Sequence, residues 1–440
     1  MSRPSVLLIG ADPYVLRACE LHDVNPVLLC NSGAYDSGRL RIPPQGTLIR
    51  VDDVNNVEDC LGALHRAGLG DVRFDAVQTT WEYAVVTAAA LGRVLDCRAI
   101  DPTTALYFRD KSLQKARLRS AGIPVTRTML VPDIYNVDDV PLEFERAVLK
   151  PIAGGGTTST SVVRDRKDLD AASRTAREEK EIKRTFLLEE FVDGEEWMAE
   201  GVAFGGEVAF FGLGVYAQPC LEAITGQIPI SLRRIDPVDE AEAYESAEPV
   251  VREAIAALGL RDGVFHMEMF RERETGRIVF SECAARRGGA LTQEQVLAKF
   301  NVDLGEAALL CALGRRPGIN VEVNPNTVGC AGLYGPAGTV VNYPTPDELL
   351  DQPDVAYAQM YVPPGATLNS KFSASADMLG AALVVTESVA AFDERVVRLR
   401  QWFSERLVIA EPGLTSGERW AWQQRHWPER DYRDWLYDGK

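Results

Sequence analysis

Short apolar runs recur through the first hundred positions, each followed by an amphipathic stretch. SVLLIGADP (Ser5 to Pro13) reads as a buried strand ending in a Gly turn, with a helix from about Tyr14. NPVLLC (Asn25 to Cys30) is a second buried strand, and FDAVQTTWEYAVVTAAALGRVL supplies another strand and then a helix. This rhythm predicts a parallel α/β unit. The turn after the first strand is Gly10-Ala11-Asp12-Pro13, which departs from the G-x-G-x-x-G dinucleotide fingerprint. DPTTALYFRDKSLQKARLRSAGIP predicts one helix with marked ends. Asp101 caps it, Pro102 suits its first turn, Gly122 stops it and Pro124 prevents its resumption.

The pattern then changes. From about Thr126 to Phe211 the apolar positions fall in short β-rich segments broken by glycines. A helix is predicted from Glu240 to Leu260, an antiparallel hairpin from Val264 to Cys283, a helix from about Thr292, and a further α+β stretch over 330–410. Ala217 to Pro229, a long connection before the first of these helices, is a candidate substrate-binding loop. From Gly413 to Lys440, Trp420, Trp422, Trp427 and Trp435 lie among charges, with Pro428 breaking the helical spacing. Two short pieces docked on the body or on a neighbouring subunit are expected there, given the apolar area of each indole.

Composition narrows the function classes. At 440 residues the chain is too long for one core and should form two or three domains. A net charge of −17 argues against a nucleic-acid surface, which needs a basic stripe. The eight cysteines are scattered, with no C-x-x-C pair and no His at zinc spacing, which fits a reducing cytoplasm. The N-terminal apolar core is too short for a signal peptide, and no apolar run approaches the roughly 18 residues of a membrane span.

Three stretches carry candidate chemistry. In LKPIAGGGTTSTSVV, Lys150 precedes Gly154, Gly155, Gly156 and Thr157, and β-branched residues follow. The order excludes a P-loop, whose lysine follows its glycines and opens a helix. A strand–glycine loop–strand can fold over a phosphate chain, its N–H groups donating and the lysine supplying a point charge. The plain alternative is a hairpin loop whose lysine faces water. FLLEEFVDGEEW reads as strand, Gly turn and strand, carrying Glu189, Glu190, Glu195 and Glu196. The strand end Glu189 to Val192 could meet an adenine edge and Glu196 a ribose, or the stretch is a solvated acidic hairpin.

The third stretch is HMEMFRERETGRIVFSECAARRGG. Alternation puts His266 and Glu268 on one face. If the hairpin folds about Thr275, Glu268 stands opposite Glu282; opposed like charges are destabilising unless a cation such as Mg²⁺ joins them. A different register would point both to solvent. Arg286 and Arg287 then meet Gly288 and Gly289, a guanidinium pair beside closely approachable amides.

Taken in order, these motifs resemble the ATP-grasp superfamily, and within it the carboxylate–amine ligases of the amino acid and dipeptide type, over roughly Ser5 to Ile409. The resemblance implies an α/β and α+β ATP-grasp fold. Residues 1–100 would be a Rossmann-like N-terminal domain, 101–125 a linking helix and 126–197 a small β-rich lid with the Gly-rich loop. Residues 198–410 would be the catalytic and C-terminal α+β region, and 411–440 the Trp-rich tail. It implies nucleotide lysines at Lys111 and Lys150, with ATP also held by Gly155, Gly156, Thr157, Glu189, Glu190, Val192 and Glu196. Glu268 and Glu282 would hold Mg²⁺. Arg286, with Gly289 and the neighbouring Gly288 amide, would steady the acyl group; His266 would touch phosphate or substrate, or serve the strand alone. Ala284 stands where the family often has Asn, which leaves one or two ions open. The implied reaction joins a small carboxylate to an amine through an acyl phosphate, releasing ADP and phosphate. No nucleic acid, membrane or further cofactor is implied, and a homodimer is an open arrangement. A carboxylase that activates bicarbonate, a non-catalytic ATP-binding module and a dinucleotide oxidoreductase are the alternatives.

Overall fold

The computed structural model describes residues 3–36, 41–369, 371–375, 377–410 and 418. The Trp-rich stretch expected over 411–440 lies outside them, Glu418 excepted. Strands β1 (Ser5–Ile9), β2 (Asn25–Asn31), β3 (Thr47–Val51) and β4 (Ala76–Thr79) form a parallel sheet in the order β3-β2-β1-β4. Alternation sends Leu7 and Ile9 to one face, against helices Val57–Arg66 and Val85–Val94. Val6 and Leu8 go to the other, against helices Pro13–Leu21 and Leu304–Ala312. The Asp12 carboxylate caps the first helix, accepting from the Tyr14 and Val15 amides.

The single helix expected from Asp101 is two: Pro102–Tyr107 and Lys111–Ser120. Asp101 caps the first, and Asp110 caps the second by accepting from the Ser112 and Leu113 amides at 2.8 and 3.0 Å. An aspartate inside the run competes with the helix backbone and restarts the helix. Gly122 closes the second at φ +80°.

A smaller antiparallel sheet follows, with β5 (Thr128–Val131), β6 (Ala147–Pro151), β7 (Ser161–Val163) and β8 (Phe186–Glu190) in the order β5-β8-β6-β7. The glycine loop joins β6 to β7. A helix, Arg166–Glu178, interrupts the stretch expected to be β-rich; Asp165 caps it, and Leu169, Ser173 and Ala176 form its narrow buried stripe. The chain then leaves this sheet at Glu190 and enters a larger one at Gly194, so FLLEEFVDGEEW bridges two sheets. A Cβ on Gly194 would lie 2.2 Å from the Arg271 carbonyl oxygen, so only glycine fits the entry point.

The larger sheet is antiparallel and contains β9 (Gly194–Phe204), β10 (Glu207–Tyr216), β11 (Ser231–Arg234), β12 (Gly263–Glu272), β13 (Ile278–Ala284) and β14 (Thr327–Leu333). After β15 (Gly338–Asn342), β16 (Val355–Met360), β17 (Thr367–Leu368), β18 (Gly380–Thr386) and β19 (Val408–Ala410), its order is β13-β12-β9-β10-β11-β14-β18-β16, with β17-β15-β19 a separate small sheet. The Ala217–Pro229 connection holds a short helix, Cys220–Gly226.

One face of the large sheet is apolar: Trp197, Ala199, Leu213, Phe265, Met267 and Met269 pack on helix Ala241–Leu258 and on Leu118. The Gln114 amide covers the free edge of β13, donating to the Cys283 carbonyl at 2.7 Å and accepting from its N–H at 2.9 Å. Alternation puts Glu196, Glu200, His266, Glu268 and Glu282 on the opposite face. Arg234, Gly214, Met198, Glu268 and Glu282 are successive partners across five strands. No described helix is long and apolar enough to cross a membrane.

Candidate active site

Glu268 is the direct partner of Glu282, and a bulge follows Glu268 at once. Lys111 Nζ and Lys150 Nζ lie 3.3 and 3.4 Å from the same Glu282 oxygen, Oε2. Lys111 is the first residue of its helix, and its N–H donates to the Ile152 carbonyl, tying that helix to the end of β6. The large sheet, the linking helices and the small sheet thus meet at one carboxylate. Burial alone would raise Glu282, but Lys111 and Lys150 hold it well below the usual carboxylate range.

Glu189 does not present its carboxylate to an open cleft. Its Oε2 lies 2.8 Å from Lys115 Nζ and 3.2 Å from Lys150 Nζ, and the residue is 4% exposed. Lys115 also donates to Thr126 Oγ1 at 2.6 Å, and complete burial pushes it down to about 8. Glu190 turns outward and takes both ends of the Arg127 fork. The Glu190 and Phe191 amides donate to the Arg127 and Arg146 carbonyls, and Val192 lies in the crossing between sheets. Sequence reasoning missed Lys115, although it sits four residues after Lys111 on one helix and three of the chain's nine lysines gather here.

Glu196 accepts from the Cys220 amide at 2.6 Å. Burial, reinforced by the Glu268 charge, pushes it up to about 8. The short helix Cys220–Gly226 therefore starts at the carboxylate expected to meet ribose.

The glycine loop is held from both sides. Arg109 donates to the Ala153 and Gly154 carbonyls, and Lys111 Nζ to the Gly154 carbonyl at 3.2 Å. A Cβ on Gly155 would lie 3.4 Å from the Tyr83 hydroxyl. On the other side the Ser375 amide donates to the Gly156 carbonyl and Thr157 Oγ1, both at 3.1 Å. Arg109, Tyr83 and Ser375 were not visible in the sequence, because they come from three distant segments.

Arg286 donates through Nε and Nη2 to Glu82, a partner from the N-terminal unit. His266 Nδ1 is 2.5 Å from Glu200 Oε1 and its Nε2 is 3.3 Å from Glu268 Oε1. Burial would lower His266, but Glu200 and Glu268 raise it to about 10. The Gly288 amide, expected to face an acyl oxygen with that of Gly289, donates instead to Glu200 Oε2 at 3.0 Å. Ala290 and Leu291 follow, both left-handed, at φ 51° and 58°. The Gly289 and Ala290 carbonyls accept from Thr292 Oγ1 and Gln295 Nε2, which anchor that turn. Such backbone strain gathers where surrounding contacts over-determine it.

No family model matches the chain. The chain is 26% identical over 313 residues to an L-arginine-specific L-amino acid ligase of Bacillus subtilis, covering 69% of this chain and 74% of that protein. Its structure resembles an L-amino acid ligase from Bacillus licheniformis at a TM-score of 0.75 and 18% identity, covering 93% of this chain and all of the other. It also resembles the biotin carboxylase domain of 2-oxoglutarate carboxylase from Hydrogenobacter thermophilus, solved with MgADP, ADP and bicarbonate. There the TM-score is 0.67 at 15% identity, over 93% of this chain and 91% of the other.

Proposed function

We propose that this chain, which has the ATP-grasp fold, is an ATP-dependent carboxylate–amine ligase. It joins a small carboxylate, such as an amino acid, to an amine through an acyl phosphate, and releases ADP and phosphate. The Glu268–Glu282 pair carries this reading: two carboxylates in register on one face, met by Lys111 and Lys150 from the facing elements. The Bacillus subtilis relative, an L-arginine-specific L-amino acid ligase, supports the choice of substrates. In this reading residues 126–197 are the lid, 198–410 the catalytic region, and the cytoplasm the working compartment.

The residues present fit a magnesium ion. Among the described residues no three acidic, His or Cys side chains form a metal cage. A cation would therefore rest on Glu268 and Glu282 with oxygens from the substrate, the usual habit of Mg²⁺. Burial is the main cause of the upward push on Glu196; the nearby Glu268 and Glu282 charges add to it and Lys150 subtracts from it. Bound there, the ion neutralises charge developing on the transferred phosphoryl group.

Lys111 and Lys150 exchange part of their contact with Glu282 for phosphate oxygens, and the loop Gly154 to Thr157 excludes water above them. Phosphoryl transfer asks little else of a protein than such positioning and charge. The acceptor is the substrate carboxylate, whose oxygen attacks the γ-phosphorus as the bond to ADP breaks. Arg286 then faces the acyl phosphate, and an amine displaces phosphate from the acyl carbon.

Isotope transfer tests the route. With ¹⁸O in the carboxylate of an amino acid, one labelled oxygen per turnover should appear in inorganic phosphate, with ADP as co-product and an amine required for steady turnover. AMP with pyrophosphate would overturn the acyl phosphate. Turnover driven by bicarbonate in place of the organic acid would instead favour the carboxylase reading, which the Hydrogenobacter neighbour supports.

A further inference from the structure

Glu200 stands in the middle of β9, fully buried, and takes no part in the chemistry above. Each of its oxygens has one donor. Oε1 meets His266 Nδ1 at 2.5 Å, and Oε2 accepts the Gly288 amide at 3.0 Å. His266 reaches Glu268 through its other nitrogen. Gly288 belongs to the turn that runs from Arg286 into two left-handed residues. The contact is close on every side: a Cβ on Gly288 would lie 2.5 Å from Glu200 Oε1, 2.8 Å from Thr292 Oγ1 and 2.9 Å from His266 Nδ1.

We propose that Glu200 is the positioning residue of the site, holding His266 against Glu268 with one oxygen and the Arg286–Leu291 turn with the other. What the positioned groups do rests on the ligase reading; where Glu200 holds them does not. A single side chain thus links the strand that carries His266 and Glu268 to the turn that carries Arg286. Backbone pairing alone does not make this link. Ala284 ends β13 opposite His266, and the chain then leaves the ladder for about seven residues before the Thr292–Phe300 helix supports it again. In that gap Gly288 has its anchor in Glu200. The carboxylate form is required, because both neighbours are donors: the Gly288 N–H and, with its proton on Nδ1, the imidazole. A glutamine offers one acceptor oxygen and turns an NH₂ toward the other donor. Glu200 is held ionised despite burial, first by His266 and then by Arg234. Arg234 itself donates to Gln295 Oε1, whose amide in turn holds the Ala290 carbonyl. The turn is therefore braced twice from the sheet, by Glu200 directly and by Arg234 through Gln295.

The test compares Glu200→Gln, His266→Ala and the double variant. Phosphate release from ATP with a mixture of amino acids should fall roughly hundredfold in Glu200→Gln, the scale of a misplaced reacting group. Affinity for MgADP should stay within about threefold. Because Glu200 acts through His266, the double variant should be less impaired than the product of the two single effects; multiplying effects would overturn the proposal. A second arm needs no substrate. The chain has four histidines, and ¹⁵N labelling of their rings should reveal one strongly deshielded Nδ1–H, lost in Glu200→Gln. Should that variant not fold, Gly288→Ala serves, since its Cβ presses on the same oxygen; it should shift the same resonance. An unshifted resonance in whichever variant folds refutes the assignment. If the unaltered protein releases no phosphate, the ligase reading fails, while the ring resonance still decides Glu200.

Discussion

Arg286 and Glu82, 204 positions apart, are joined by two N–H groups of one guanidinium donating to one carboxylate oxygen. The arginine proposed to face the acyl phosphate is thus already occupied by an acid from the N-terminal unit. A transferred phosphoryl group must share this arginine with Glu82 or displace it. Replacing Glu82 with Gln removes the competing charge. Inorganic phosphate should then inhibit more strongly, its inhibition constant falling about three- to tenfold, or up to roughly 1.4 kcal/mol. An unchanged constant would show that Glu82 and phosphate do not compete for Arg286.

Glu282→Gln removes a charge and keeps the shape. Activity should drop at least about a hundredfold, the order seen when a preorganised electrostatic contact is lost. Nucleotide should still bind, weakly, through Lys150 and the strand end at Glu189 to Val192. Near-normal turnover at ordinary magnesium would sink the metal assignment.

Lys115→Met strips Glu189 of one of its two buried cations. Breaking a buried ion pair from one side leaves an uncompensated charge, so a loss of roughly 3 kcal/mol is expected. The measurement is the urea midpoint at pH 7, and a midpoint unchanged from that of the unaltered protein contradicts it.

Glu294 carries a pH signature. Its carboxylate takes the Tyr14 hydroxyl, and burial, with Asp12 and Asp303 adding, lifts it from 4.5 to about 7. Between those values the folded chain keeps a proton that the unfolded chain releases. The resulting stability is fully present below about pH 4.5 and is lost as pH rises through 7, at most on the order of 3 kcal/mol. Glu294→Gln imitates the protonated form. It should leave stability near pH 5 unchanged and raise it at pH 8; a gain of equal size at both values would exclude titration of Glu294 as the cause.

The parts of this fold legible in the sequence were those governed by short periods. Alternation placed His266 and Glu268 on one face, and counting to the turn placed Glu268 opposite Glu282. The helix at Arg166–Glu178 escaped because its apolar stripe is only Leu169, Ser173 and Ala176 among charges. The restart at Asp110 escaped because a cap inside a helical pattern looks like an ordinary polar position. Glu82, Arg109 and Glu200 escaped for another reason. Each acts through a partner that only the tertiary fold brings near, and a lone acid or arginine has no spacing to betray it.

The row from Arg234 through Gly214 and Met198 to Glu268 and Glu282 works as a ruler. Three strand spacings separate Arg234 from Glu268, roughly 14 Å. A slip in any one of these three ladders would change that relation, and each slip would turn a set of side chains to the wrong face. The separation of Arg234 from Glu268 is therefore fixed in backbone. What can drift over evolutionary time is the fittings at the strand ends: the Ala217–Pro229 connection, the turn at Arg286–Leu291, and the segment from Phe372 to Ser375 that closes on the glycine loop. If the proposed ligase reading holds, a change of substrate preference should leave its traces in those three places, while the graduations between them stay as they are.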